Sequence, residues 1–159
     1  MMKKIIFSLL LVSILSCKKD SSTNGSTVIS NPTLAAQLRT NKEKLVIGNK
    51  TYFIEAYIYR DFMPGAESGL ICIIKLKDIN GSTIPSDITI DKLYVINDTD
   101  IWKTNYDEIR TNSKFYIEGI VRNGPKWEAK ANVDIVSEFL IGSKKYQILI
   151  KSQKIGEVY

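Results

Sequence analysis

From Leu45 to the end, the chain repeats one pattern: a short stretch of alternating apolar and polar residues, then a turn. Alternation with period two puts every second side chain on one face of a strand, so one face can be buried while the other stays wet. Leu45-Val-Ile47 and Thr51 to Arg60 flank Gly48-Asn49-Lys50 as a hairpin. Leu70 to Lys77 follows, and Asn80-Gly81 is the strongest short turn signal in the chain. Ile88 to Ile96, Ile101 to Lys103, Lys114 to Arg122, Ala129 to Ile141, Lys145 to Lys151 and a last piece through Ile155 to Val158 complete the series. Seven to nine short strands at close spacing, with no long helical pattern, predict an all-β sandwich. Ig-like topology is the expected arrangement and a small closed barrel the alternative. The Cys…Trp…Cys spacing of antibody domains is missing.

The N-terminal end reads differently. Met1-Met2-Lys3-Lys4 is a positive head, Ile5 to Leu15 is apolar apart from two serines, and Lys18-Lys19-Asp20 is sharply polar. A positive head, a short apolar run and a small residue at the cut have the form of a secretory signal. The run falls well short of the about 20 apolar residues of a spanning helix. Cys17, directly after Ile14-Leu15-Ser16, resembles the lipobox of bacterial lipoproteins, whose cysteine is lipidated and becomes the new N-terminus. That resemblance implies a signal peptide over 1–16, a lipid anchor at Cys17 and attachment to the cell envelope. Lys18 follows where an inner-membrane retention signal has Asp, which favours the outer membrane, on its periplasmic face or at the cell surface. The Cys-Lys-Lys-Asp start and the Lys- and Ile-rich style resemble lipoproteins of the Bacteroidota. Residues 17–44 are then expected to be the lipidated cysteine and a flexible tether, because the Ser-, Thr- and Asn-rich part offers little apolar surface to offset ordering entropy. A turn or two of helix after Pro32 is the exception. Residues 45–159 are expected to form the sandwich.

Composition removes several functions. The chain has no histidine, which rules out Ser-His-Asp and Cys-His catalysis and every histidine-ligated metal site. The net charge of +5 falls to +3 without Lys3 and Lys4, and no dense basic stripe is present, so nucleic acid is not an expected partner. Gly-rich phosphate loops and CxxC pairs are absent. The oxygen-rich Asn97-Asp98-Thr99-Asp100 fails the spacing of an EF-hand and reads as a turn. No catalytic set, metal site or cofactor is assigned. Of the two cysteines, the lipobox resemblance assigns Cys17 to the anchor, and Cys72 shares a strand face with Leu70, Ile74 and Leu76, as a small buried hydrophobe would.

The surface candidates are aromatic. Tyr52, Ile54, Ala56 and Ile58 form an inward set, yet the opposite parity carries Phe53, Tyr57 and Tyr59 around Glu55. Ile71 and Ile73 hold the matching off-face positions of Leu70 to Lys77. If those strands are neighbours, the result is an apolar-aromatic patch of the kind that marks binding sites, unless the tether or a loop covers it. Trp102 and Trp127 lie beside turns, as plugs of the sandwich ends or as platforms for a ligand. The body resembles a loose group of small exported bacterial β-proteins through Tyr57-Ile-Tyr-Arg-Asp-Phe-Met-Pro64, Asn123-Gly-Pro-Lys-Trp127 and Val133-Asp134 … Tyr146 … Gln153-Lys-Ile-Gly156. That likeness implies export and a β fold, with no activity to carry over. The expected function is a membrane-anchored, non-catalytic binding or envelope-accessory module whose partner is a glycan or an envelope protein. A carbohydrate- or peptidoglycan-directed hydrolase using a carboxylate pair is the alternative.

Overall fold

The computed structural model describes residues 25–63 and 69–159. The leader, Cys17 and the first part of the expected tether lie outside the described residues. Two antiparallel-rich sheets pack face to face and do not close into a barrel. The first contains β1 (Thr27–Ser30), β6 (Asp100–Asn105), β5 (Ile88–Asn97), β9 (Asn132–Ile141) and β10 (Lys144–Lys154), in that order. The second runs β11 (Gly156–Val158), β3 (Lys50–Asp61), β4 (Leu70–Asp78), β8 (Tyr116–Val121) and β7 (Glu108–Arg110), with β2 (Leu45–Ile47) also on β3.

Eight of these strands carry the immunoglobulin order. β3-β4-β8-β7 occupy the places of strands A, B, E and D, and β6-β5-β9-β10 those of C′, C, F and G. The chain departs from that plan at its margins. β1 extends the first sheet beyond β6, while β2 and the parallel β11 cap opposite ends of β3. Ser152, with φ of 53°, sits in a register break of β10, which pairs with β9 again at Gln153 and Lys154 before the chain passes to β11.

β3 and β4 alternate as their sequences predict, whereas β5 and β9 carry continuous buried runs because both of their faces are covered. Tyr52, Ile54 and Ile58 of β3, and Leu70, Cys72, Ile74 and Leu76 of β4, meet Leu93, Val95, Ile135, Phe139 and Ile148 from the facing sheet. Gly119 of β8 is a gap in this core: a Cβ there would lie 2.4 Å from the Ile90 side chain and 2.5 Å from the Tyr106 ring. Tyr106 uses the space, and its buried phenol shares a 2.8 Å hydrogen bond with Ser137. The hairpin at Gly48-Asn49 forms, with Gly48 at φ 61°. The Asn80-Gly81 turn also forms, closed by the Gly81 amide on the Asp78 carbonyl at 2.9 Å, but it leads across to the other sheet rather than back along β4.

Of the tether expected over 17–44, residues 27–38 are instead folded onto the sandwich. β1 pairs with β6 from Thr27 to Ser30, and α1 (Pro32–Leu38) docks on the outer face of the first sheet. Asn31 caps the helix by accepting from the Leu34 amide at 2.9 Å. Ala35 and Leu38 then close a second core over Tyr94, Ile96, Ile101, Val136 and Leu149. Arg39 adds a 2.6 Å ion pair to Asp134. The folded body therefore starts near Ser26, because the buried Ala35 and Leu38, the partly buried Leu34 and a strand ladder offset the ordering cost that composition alone made prohibitive.

Candidate functional site

The docked helix matters for the other side of the molecule, because it covers the five-stranded sheet and leaves the outer face of the six-stranded sheet without a described cover. The register on that face is explicit. Tyr57 lies opposite Ile73, Tyr59 opposite Ile71, Glu55 opposite Lys75 and Phe53 opposite Lys77. β8 continues the rows, with Ile120 opposite Ile73, Glu118 opposite Lys75 and Tyr116 opposite Lys77. Side chains opposite one another stand about 4.5–5.5 Å apart at Cβ, so each row is a contact line.

The rows differ in kind. Glu55, Lys75, Glu118 and Arg110 form a line of alternating charge across four strands. It satisfies itself through Lys75–Glu118 at 3.5 Å, Arg110–Glu118 at 3.1 Å and the diagonal Lys77–Glu55 at 2.7 Å. At its margin Glu108 is held below the usual carboxylate range, first by the hydrogen bond from Arg110 and then by that from Arg122. The neighbouring rows, Tyr57-Ile73-Ile120 and Tyr59-Ile71, are apolar and carry no charge. Tyr57 is 59% exposed, Phe53, Tyr59, Ile71 and Ile73 are half-buried, and Ile120 is buried, yet none of these six belongs to either core. Gly156 of β11 sits beside Tyr59 without a side chain of its own, which keeps the surface flat there.

Sequence reasoning missed one part of this region. At the end of β3, Phe62 stacks on Tyr159 with ring centroids 5.6 Å apart, and the Arg60 guanidinium lies 4.7 Å from the Phe62 centroid. Tyr159 is 80% exposed. Only the parallel pairing of β11, which brings the chain's last residues beside β3, creates this stack, and no local signal announces such pairing.

The tryptophans are not ligand platforms on the same footing. Trp102 has no exposed surface, donates from Nε1 to the Ser26 hydroxyl at 2.9 Å, and packs so tightly on Gly124 that a Cβ there would lie 2.5 Å from the ring. It is a core plug, and the platform role is ruled out by burial. Trp127 is half-buried against the main core, and its carbonyl accepts from Arg60 at 3.3 Å.

Among the carboxylates, Asp91 and Glu138 are brought together on the outer face of the first sheet, where Asp91 is the extra residue of a bulge opposite Glu138. Lys145 reaches Glu138 at 3.0 Å and Asp91 at 3.7 Å, and Lys92 reaches Asp91 at 3.3 Å. Burial raises the Asp91 carboxyl, but bonding to Lys92 and Glu138 and the two ammonium charges outweigh it and leave it below the ordinary range. A general acid needs the opposite shift, so Asp91 does not have the electrostatics of a glycosidase donor. Asp78, Ser82 and Lys50 form a second cluster: Ser82 bonds Asp78, Lys50 bonds Ser82, and Lys50 also donates to the Thr83 carbonyl at 2.9 Å. The Ser82 bond, ahead of the Thr51 amide and the Lys50 charge, holds Asp78 low despite burial, and the low value makes it a poor base for Ser82. These residues lock the 79–87 loop. Among the described residues no group of three or more acidic, cysteine or histidine side chains could hold a metal ion, and no helix is long and apolar enough to cross a membrane.

Cys72 lies in the core with no exposed surface, and burial pushes its thiol far up. A thiol reagent should therefore label the native protein slowly and the denatured protein quickly. Cys72→Ser should cost about 1–3 kcal/mol, since it buries a hydroxyl with no partner prepared for it. Labelling at equal rates in both states would contradict this placement.

Fold and site together define an immunoglobulin-ordered β-sandwich with one sheet face covered by a helix and the other carrying a half-buried apolar-aromatic patch, exposed at Tyr57 and bordered by a self-neutralised charge row. No protein-family model, no curated protein and no solved structure matches the chain.

Proposed function

We propose that this protein is a lipid-anchored, non-catalytic module of the cell envelope that captures a glycan or an envelope protein on the outer face of its six-stranded sheet. The observation that carries the reading is the row of Tyr57, Tyr59, Ile71 and Ile73, which the fold leaves outside both cores while it spends a helix covering the other sheet. Tyr57 is the exposed member of the row, and tyrosine offers rigid contact area with a polar tip, suited to a partner that also meets the half-buried Tyr59, Ile71 and Ile73. The neighbouring Glu–Lys pairs supply a polar border of both signs.

The anchor part rests on the lipobox-like Leu15-Ser16-Cys17. A diacylglyceryl cysteine adds two chains, which is what stable membrane attachment takes. Cys17→Ser should release the protein to the soluble fraction or leave it unprocessed. Unchanged membrane association without lipid label would sink the anchor. For the capture surface, purified envelope polysaccharide and solubilised outer-membrane protein are offered separately to the wild type and to the Tyr57→Ala/Tyr59→Ala protein. Retention by the wild type in one arm, lost in the double variant, is the expected result. Equal retention by both proteins would remove the face from the account.

A further inference from the structure

A cleft of about 270 Å³ opens at one end of the sandwich, between the 79–87 loop and the 111–115 loop, away from the aromatic face. Its wall is apolar, made by Ile84, Pro85, Ile88 and Ile117, three of which are buried core residues. Its rim carries the hydroxyl residues Ser86, Thr111 and Ser113 and a single charged group, Lys114. No acidic residue lines it. The Lys114 ammonium has the Phe115 ring, 5.2 Å from the centroid, as its described contact, and forms no ion pair among the described residues.

The cleft is also pre-formed. The Ile84 amide donates to the Lys114 carbonyl at 2.8 Å and ties the two loops together. The Asp78–Ser82–Lys50 lock pins the first loop from behind, and the Gly142 amide reaches the Asp87 carbonyl at 3.3 Å. Little ordering cost remains for an occupant to meet. An apolar wall with a few convergent polar groups is the make-up of a small-molecule site, and the volume lies just under the range of about 300–1,000 Å³ such sites span, so the occupant is small.

We propose that this cleft binds a small carboxylate with an apolar body, the hydrocarbon against Ile84, Ile88 and Ile117 and the carboxylate on the Lys114 ammonium and the rim hydroxyls. The site is independent of the aromatic face. The test uses the full chain with isoleucine δ1-methyl labels, titrated with hexanoate and, as the uncharged counterpart, hexanamide. Hexanoate should produce saturable shifts of the Ile84, Ile88 and Ile117 methyls, with hexanamide about tenfold weaker or worse. Lys114→Gln, an exposed change that leaves the core methyl spectrum in place, should weaken hexanoate by a similar factor and leave hexanamide alone, whereas Lys126→Gln should change neither. Absence of saturable shifts, equal binding of acid and amide, or indifference to Lys114→Gln would overturn the proposal.

Discussion

Trp102→Ala is expected to cost about 3–5 kcal/mol of unfolding free energy, the scale for removing a fully buried large aromatic. The indole fills a space that three separate elements converge on. β6 supplies the residue, Ser26 from the entry to β1 accepts its Nε1 proton, and Gly124 from the β8–β9 connection lies flat against the ring. Alanine would leave a cavity that rigid strands cannot close and would orphan the Ser26 partner. Trp102→Phe should lose less, keeping most of the packing and giving up only the hydrogen bond. Urea denaturation of the two variants beside the parent measures both numbers. A Trp102→Ala protein within about 1 kcal/mol of the parent would mean the ring is not a core element.

Removing the residues before Leu45 should be at least as damaging. A chain beginning at Leu45 lacks β1 and α1, and so lays bare Tyr94, Ile96, Ile101, Val136 and Leu149 on one sheet face. Each large apolar side chain is worth about 1.5–3 kcal/mol when fully buried, so even partial exposure of five approaches the 5–15 kcal/mol total stability of a typical domain. An apolar sheet face of that size would also drive association. A chain beginning at Gly25 should be folded and monodisperse, and one beginning at Leu45 unfolded or aggregated, by far-UV circular dichroism and size-exclusion chromatography. Equal stability of the two would restore residues 25–44 to the tether.

These two cases also show where the sequence is readable and where it is not. Strand positions are legible because the period-two pattern is strong: β2 falls on Leu45–Ile47, and β3, β4 and β5 begin and end within a residue or so of their alternating runs. That Tyr57 and Ile73 share a face follows from parity, while their direct opposition is set by the antiparallel register of β3 and β4. The short helix after Pro32 is where the sequence put it, as α1, but its docking is not legible, and β1 is harder still because it is exposed along its whole length and is held by its ladder. The clue lay in the partner strand. Leu93-Tyr94-Val95-Ile96 is a continuous apolar run, the mark of a strand covered on both faces, and something had to cover the second face. β7 escaped because Glu108-Ile109-Arg110 is three residues at a sheet edge with two charges. The fate of Trp102 depended on a glycine twenty-two positions later presenting bare backbone to it, a long-range fit that turn signals cannot encode.

The aromatic face remains the centre of the functional account, and its claim is that Tyr57 and Tyr59 are held out for a partner rather than for the fold. The most direct measurement is the unfolding free energy of Tyr57→Ala/Tyr59→Ala, taken on the same preparation used for envelope-polysaccharide and envelope-protein binding. The account predicts capture lost and stability reduced by no more than about 1–2 kcal/mol in total, since both side chains lie outside the cores and Tyr57 is mostly exposed. A loss on the scale of about 3–5 kcal/mol for each tyrosine, with binding unchanged per folded molecule, would show that the stripe is internal packing and contradict the reading.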